Sequence, residues 1–235
     1  MQIDLFKKPQ NVTIVEGFPG FGLIGSIVTD FLVDHLKCEL IGRFLFEDQP
    51  ATVMIHNGKV TEPLGIFYNK KYNLVIIHSI AAAAGIEWKA AEVVMDVARQ
   101  LKAKEIVSVE GVGSTMPTET SNIFYYTNVE KKKKKLEEMK LKVLKEGIIM
   151  GVTSAVMLKC KSPLVCMFAE THSALPDSKA AAKIIEKLDE YLGLKVDPAP
   201  LLKQAEKFES KLKTMMVKSG EAQDMAEKKQ MSYVG

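Results

Sequence analysis

Val12-Thr13-Ile14-Val15 is a short β-branched run, and beyond a cluster of glycines Ile24, Ile27, Val28, Phe31, Leu32 and Leu36 recur at three- and four-residue spacing. The first pattern predicts a strand and the second an amphipathic helix, so the chain opens strand (12–16), glycine turn, helix (23–36). A second strand is expected over 40–46. Thr52 to His56, the pair Asn57-Gly58, Leu64 to Tyr68, a polar turn at 69–73 and Leu74 to His78 then predict an antiparallel meander. Asn-Gly between apolar runs supplies the left-handed residues of a tight hairpin. Alternation of strand and helix resumes with a helix over 87–102, carrying Ala90, Val93, Val94, Val97 and Leu101 on one face. A strand over 105–109 runs into Glu110-Gly111-Val112-Gly113. Further expectations are a strand at 123–127, a charged helix at 131–141, strands at 147–158 and 164–169, and a helix at 177–192 striped by Ala181, Ile184, Ile185 and Leu188.

This order is that of an α/β protein, a three-layer mixed sheet with flanking helices. Gly193 and Asp197-Pro198-Ala199-Pro200 mark a boundary, since Gly ends a helix and Pro tolerates the first turn of the next. Residues 1–195 read as the core domain. Residues 196–235 read as a C-terminal amphipathic helical arm and tail, with Leu201, Leu202, Ala205, Phe208, Leu212, Met215 and Met216 on its apolar stripe.

Composition narrows the function classes. A net charge of +3 over 235 residues is too small for a dedicated nucleic-acid binder, and the one dense basic block, Lys131 to Lys135, is followed by Glu137 and Glu138 as on a solvated helix face. Three cysteines, Cys38, Cys160 and Cys166, with no C-x-x-C spacing, argue against a disulfide framework or a zinc site and for a reducing, cytoplasmic setting. The N-terminus lacks a signal-peptide core, and apolar runs such as 76–84 fall short of a membrane span.

Gly20-Phe21-Gly22-Leu23-Ile24-Gly25 is a literal G-x-G-x-x-G between a predicted strand and helix, the context of a dinucleotide site, and Glu47 or Asp48 stands where a ribose-binding acid would be. A nucleotide- or nucleoside-binding enzyme using Gly17, Gly20, Gly22 and Gly25 together with the loop at Gly111 and Gly113 is therefore the alternative function. Against it, Pro19 removes an amide donor, Phe18 and Phe21 crowd the turn, and the hairpins that follow abandon the dinucleotide plan. Tight strand-to-helix packing is the favoured account of these glycines. His35, His56, His78 and His172 are scattered over separate elements, and no P-loop or G-x-S-x-G appears. No catalytic residue, cofactor or metal site is expected.

GFPGFGLIG (17–25), ETHSALPDSKAA (170–181) and a helical arm ending near a tyrosine resemble the archaeal members of the proteasome assembly chaperone family, of the chaperone 2 type. The resemblance implies an α/β fold similar to the nucleoside phosphorylases without their catalytic residues, a homo-oligomer, and a non-enzymatic role in assembling or binding the proteasome. It further implies that a C-terminal hydrophobic-Tyr-X segment inserts between α subunits of the core particle, which would make Met231, Tyr233, Val234 and Gly235 the partner-binding residues. The chain departs from that pattern: Tyr233 is third from the end, displacing a terminal carboxylate by up to about 3.5 Å.

Overall fold

The computed structural model describes residues 2–46, 53–56, 58–80, 85–113, 122–171, 175–203 and 214. Four strands form the parallel centre of the main sheet: β2 (Thr13–Gly17), β7 (Leu74–Ser79), β8 (Glu105–Gly113) and β11 (Leu164–Thr171), with β2 between β7 and β8, and β11 beyond β8. Antiparallel strands extend it on one side, through β6 (Leu64–Asn69) and β3 (Glu39–Leu45) to the edge strand β1 (Gln2–Leu5). On the other side β9 (Ile123–Thr127) pairs antiparallel with β11, and the two-residue β10 (Lys142–Val143) pairs with β9.

Both faces of the centre are covered, which is why its strands read as apolar runs rather than as an alternation. Val15, Ile76, Val107, Val165 and Met167 face one core with α1 (Ile24–His35), α3 (Glu130–Glu138) and α5 (Ser178–Leu192). Their neighbours Ile14, Val75, Ile77, Ile106, Cys166 and Phe168 face a second core with α2 (Glu87–Gln100) and α4 (Val152–Lys159). Three layers result, as the pattern predicts. The beginning of the arm belongs to the first core: residues 199–203 are helical and Leu194, Val196 and Leu201 are buried in it. The remainder of the expected arm lies outside the described residues, Thr214 excepted.

Three expectations are corrected. Residues 147–158 do not form a strand: 152–159 are the helix α4, because Val152, Ala155 and Val156 form one buried stripe at helical spacing against the α2 layer. A short apolar run does not by itself distinguish a buried strand from a buried helix. The first hairpin is β4 (Met54–His56) with β5 (Lys59–Thr61), a separate two-stranded sheet around Asn57-Gly58, while β6 pairs with β3 and β7. The lysine run is not uniformly solvated: Lys132 pairs with Glu105 and donates to the Tyr191 hydroxyl at 2.9 Å, and Lys135 donates to the Tyr191 carbonyl at 2.8 Å. Lys131 and Lys134 remain exposed.

Candidate functional site

At the carboxyl ends of β2, β8 and β11 the chain turns back on itself through glycines. Gly22 (φ 67°) and Leu23 (φ 51°) are both left-handed, so the chain reverses in two residues and enters α1 directly. A glycine takes that conformation freely, whereas a leucine holds it only where packing compensates, and Leu23 is buried. The turn lies flat on β8: a methyl group at Gly111 would stand 2.0 Å from the Phe21 carbonyl oxygen. One at Gly17 would meet the Gly25 carbonyl at 2.3 Å, and one at Gly25 the Phe18 and Val109 carbonyls at 2.6 and 2.8 Å. Gly113 lies beside the Phe21 ring. The two glycine segments, 90 residues apart in sequence, are thus one contact in space.

Gly20 faces a carboxylate. A methyl group there would stand 1.6 Å from Glu110 Oε1, and Glu110, only 5% exposed, accepts hydrogen bonds from the Phe21 amide, its neighbour Gly111 and the Thr153 hydroxyl. In a dinucleotide site such turn amides receive a phosphate; here the chain's own carboxylate takes the Phe21 amide. Glu47 and Asp48, which the nucleotide-binding alternative would set on a ribose, lie outside the described residues.

The second marked segment meets the first. The Asp177 amide donates to the Gly22 carbonyl at 3.0 Å. The Asp177 carboxylate accepts from the Thr171 hydroxyl at 2.7 Å and, as N-cap of α5, from the Ala180 amide at 2.9 Å. Glu170, 6% exposed, accepts from the Asn122 side chain at 2.7 Å and backbone at 3.2 Å. His172 and Ser173 lie outside the described residues. Because Asp177 joins helix, strand end and turn, Asp177→Ala is expected to destabilise the protein by about 1–2 kcal/mol, read by urea denaturation. A change under a few tenths would separate the cap from the turn.

A groove of about 1100 Å³ opens where these segments meet. One wall is Gly20, Phe21, Glu110 and Glu170, and the other is the stretch from Lys142 to Gly151, on which Ile148 and Met150 are largely exposed. On β2, opposite Ser108 of β8, Glu16 is 0% exposed and neither of its oxygens has a hydrogen-bond partner. Glu16 and Glu110 follow Val15 and Val109 of the first core, so they point to the opposite, α2 and α4 face of the sheet. Burial pushes the Glu16 carboxyl up to about 8, with nearby Ser108 lowering it and Glu110 raising it further. Burial likewise raises Glu110 to about 7, its three hydrogen bonds acting in the other direction. The Ser108 hydroxyl is engaged with that of Thr153 at 3.0 Å. Sequence reading passed over Glu16, although a carboxylate closing the apolar run VTIVE was the available signal.

The remaining candidates disperse. His78 is buried, its Nδ1 2.8 Å from the Thr29 hydroxyl and its Nε2 3.7 Å from Asp30, while His35 stacks on Phe31. The side chain of His56 is not among those described. All three cysteines are free, and burial raises each thiol, Cys38 to about 12, away from the thiolate a nucleophile needs. Among the described residues no three His, Cys, Asp or Glu side chains are grouped to hold a metal ion, and no helix is long and apolar enough to cross a membrane. The tail residues Met231, Tyr233, Val234 and Gly235 lie outside the described residues.

The sequence model of the PAC2 family matches residues 14–216. The chain superposes on PbaA of Pyrococcus furiosus, an archaeal homolog of proteasome-assembly chaperone, with a TM-score of 0.84 at 28% identity, covering 94% of this chain and 100% of that one. PbaB of the same organism, an archaeal proteasome activator, shares the fold with a TM-score of 0.74 at 18% identity, covering 91% and 98%. An uncharacterised protein of Methanocaldococcus jannaschii is 26% identical over 211 residues, 88% of this chain and 86% of its own length.

Proposed function

Since the chain belongs to the PAC2 family, we propose that it is a non-enzymatic proteasome assembly chaperone or proteasome-binding factor, acting in the cytoplasm as a homo-oligomer. The observation that carries this reading is its similarity to PbaA over nearly the full length of both chains. The site chemistry is compatible with it: the glycines serve close packing, the Phe21 amide is held by Glu110, and the thiols are suppressed. The partner is the ring of proteasome core-particle α subunits, reached by Met231, Tyr233, Val234 and Gly235. An arm whose start is anchored in the core through Val196 and Leu201 would present those residues away from it. Repeated tails on one oligomer facing a symmetric ring turn weak single contacts into strong binding by raising the effective concentration of each further contact.

The direct test is co-sedimentation of the full chain with archaeal α-ring particles, with oligomer mass measured by light scattering in parallel. The expected result is a stable complex formed by an oligomer. Failure to bind α rings at micromolar concentration by an intact oligomer would remove the proteasome from the reading.

A further inference from the structure

We propose that the amino end of the parallel sheet is a docking surface for an acidic segment of a partner protein. In the sequence its lysines are dispersed, Lys7 and Lys8, Lys37, Lys70 and Lys71, and Lys102 falling in four separate segments. The fold gathers them, because α1 and α2 end, and β2, β7 and β8 begin, at the same edge of the molecule. Hydrogen bonds then tie the four segments into one platform. The Asn69 side chain donates to the Leu36 carbonyl at 2.7 Å, joining the β6–β7 turn to the end of α1. The Asn73 side chain donates to the Gln10 and Asn11 carbonyls at 3.1 and 3.0 Å, and the Tyr68 hydroxyl to Asn73 Oδ1 at 2.9 Å. The Asn11 amide donates to the Leu101 carbonyl at 3.0 Å and the Lys104 amide to the Val12 carbonyl at 2.8 Å, which adds the segment after α2.

A recess of about 560 Å³ opens in this platform, lined by Lys7, Lys37, Lys70 and Lys71 with Glu39 as its one carboxylate. The other carboxylates in the same segments are Asp34 and Glu105; Lys7 holds Glu39 and Lys132 holds Glu105. Lys8, Lys37, Lys70, Lys71, Lys102 and Lys104 are exposed and have no acidic partner among the described residues. Lys37 and Lys102 follow the ends of α1 and α2 at φ 50° and 49°, left-handed positions where glycine is the usual residue. Part of their charge answers the negative helix ends, an effect confined to the last turn. Lys70 and Lys71 stand on a strand turn, where no helix end offsets them. A molecule of net charge +3 thus carries a positive field concentrated at one edge.

The chemistry of the recess selects the partner. Its cations are exposed ammoniums on flexible stems, without an arginine to grip a phosphate or carboxylate in fixed geometry, so attraction is spread over several charges rather than aimed at one group. Single-stranded nucleic acid needs successive free rings for its bases. Here Tyr68 packs on the second core, Tyr72 packs on the first and lies under Lys71 at 4.6 Å, and Phe6 is left as one exposed ring. A run of aspartates and glutamates with an apolar neighbour for Phe6 fits both the charge and the surface.

Fluorescence anisotropy of a short fluorescein-labelled polyglutamate peptide, titrated with the full chain, tests the surface. Binding is expected, weakening several-fold between low and physiological salt because exposed charges are screened there. Lys37→Gln with Lys70→Gln is expected to lower affinity by about three- to tenfold. Lys142→Gln with Lys145→Gln removes the same charge from beside the groove at the other end of the strands, and is expected to leave affinity within about twofold. Equal losses in the two double variants would reduce the effect to net charge and overturn the site, as would absence of binding to the wild type. A labelled oligothymidylate of matching charge that binds more tightly than polyglutamate would overturn the assignment to an acidic protein. Removal of Met231 to Gly235 is expected to leave polyglutamate binding unchanged, and a loss there would assign the binding to the tail instead.

Discussion

Gly111→Ala lowers the melting temperature by roughly 6–12 °C, corresponding to about 3 kcal/mol in a chain of this length. The added methyl group would sit 2.0 Å from the Phe21 carbonyl oxygen and 3.1 Å from the Ile24 side chain. A side chain in that position could rotate away, but a backbone carbonyl cannot, and this one belongs to a turn pinned on three sides. The Phe21 amide is bound to Glu110, the Gly22 carbonyl receives the Asp177 amide, and Gly25 lies against the Phe18 and Val109 carbonyls. Relief therefore requires the whole turn to lift from β8, disturbing the start of α1 and the cap of α5 together. Gly147→Ala is the control, because its methyl group would meet only the Leu144 side chain at 3.5–3.7 Å, and a change within about 0.5 kcal/mol is expected. Calorimetric scans of the two variants suffice. A Gly111→Ala protein melting with the wild type would show that the turn does not clamp the two segments.

Removal of Met231 to Gly235 is expected to weaken binding to proteasome α rings by about 10²- to 10⁴-fold while leaving melting temperature and oligomer mass unchanged. The size of the effect comes from multiplicity. Each lost tail removes one weak contact, but in an oligomer all are lost at once, and with them the effective concentration that held the complex. The measurement is a titration of labelled α rings with full-length and shortened chains, alongside light scattering. Unaltered affinity with an intact oligomer would move the contact from the tail to the folded body, where the exposed Ile148 and Met150 stand beside the groove. A loss of oligomer mass would instead assign these residues to self-association.

The legible part of this protein is what short-range physics dictates. Short apolar runs and period-3.6 patterns predict β2, α1, α2, β9, β11 and α5 to within a few residues, because each must bury a definite set of side chains. The same logic fails at 147–158, where one apolar stretch serves either a strand or a helix. It also fails at β1 and β10, edge strands of four and two residues that rest on the neighbour they pair with rather than on a pattern of their own. The two marked segments are plain in the sequence, while their contact through Asp177 and Gly22 is not.

The glycine turn shows the division most clearly. The residues alone establish that a strand ends, the chain reverses and a helix begins, and that Pro19 leaves one donor fewer for a phosphate. They leave open what the turn faces. Only the three-dimensional arrangement puts Glu110 against Gly20 and Phe21, buries Glu16 on β2 with its oxygens unpartnered, and packs Gly111 on the Phe21 carbonyl. Local pattern is a property of neighbours in the chain, whereas burial, close approach and the proton affinity of a carboxyl depend on strands and helices brought together from tens of residues away.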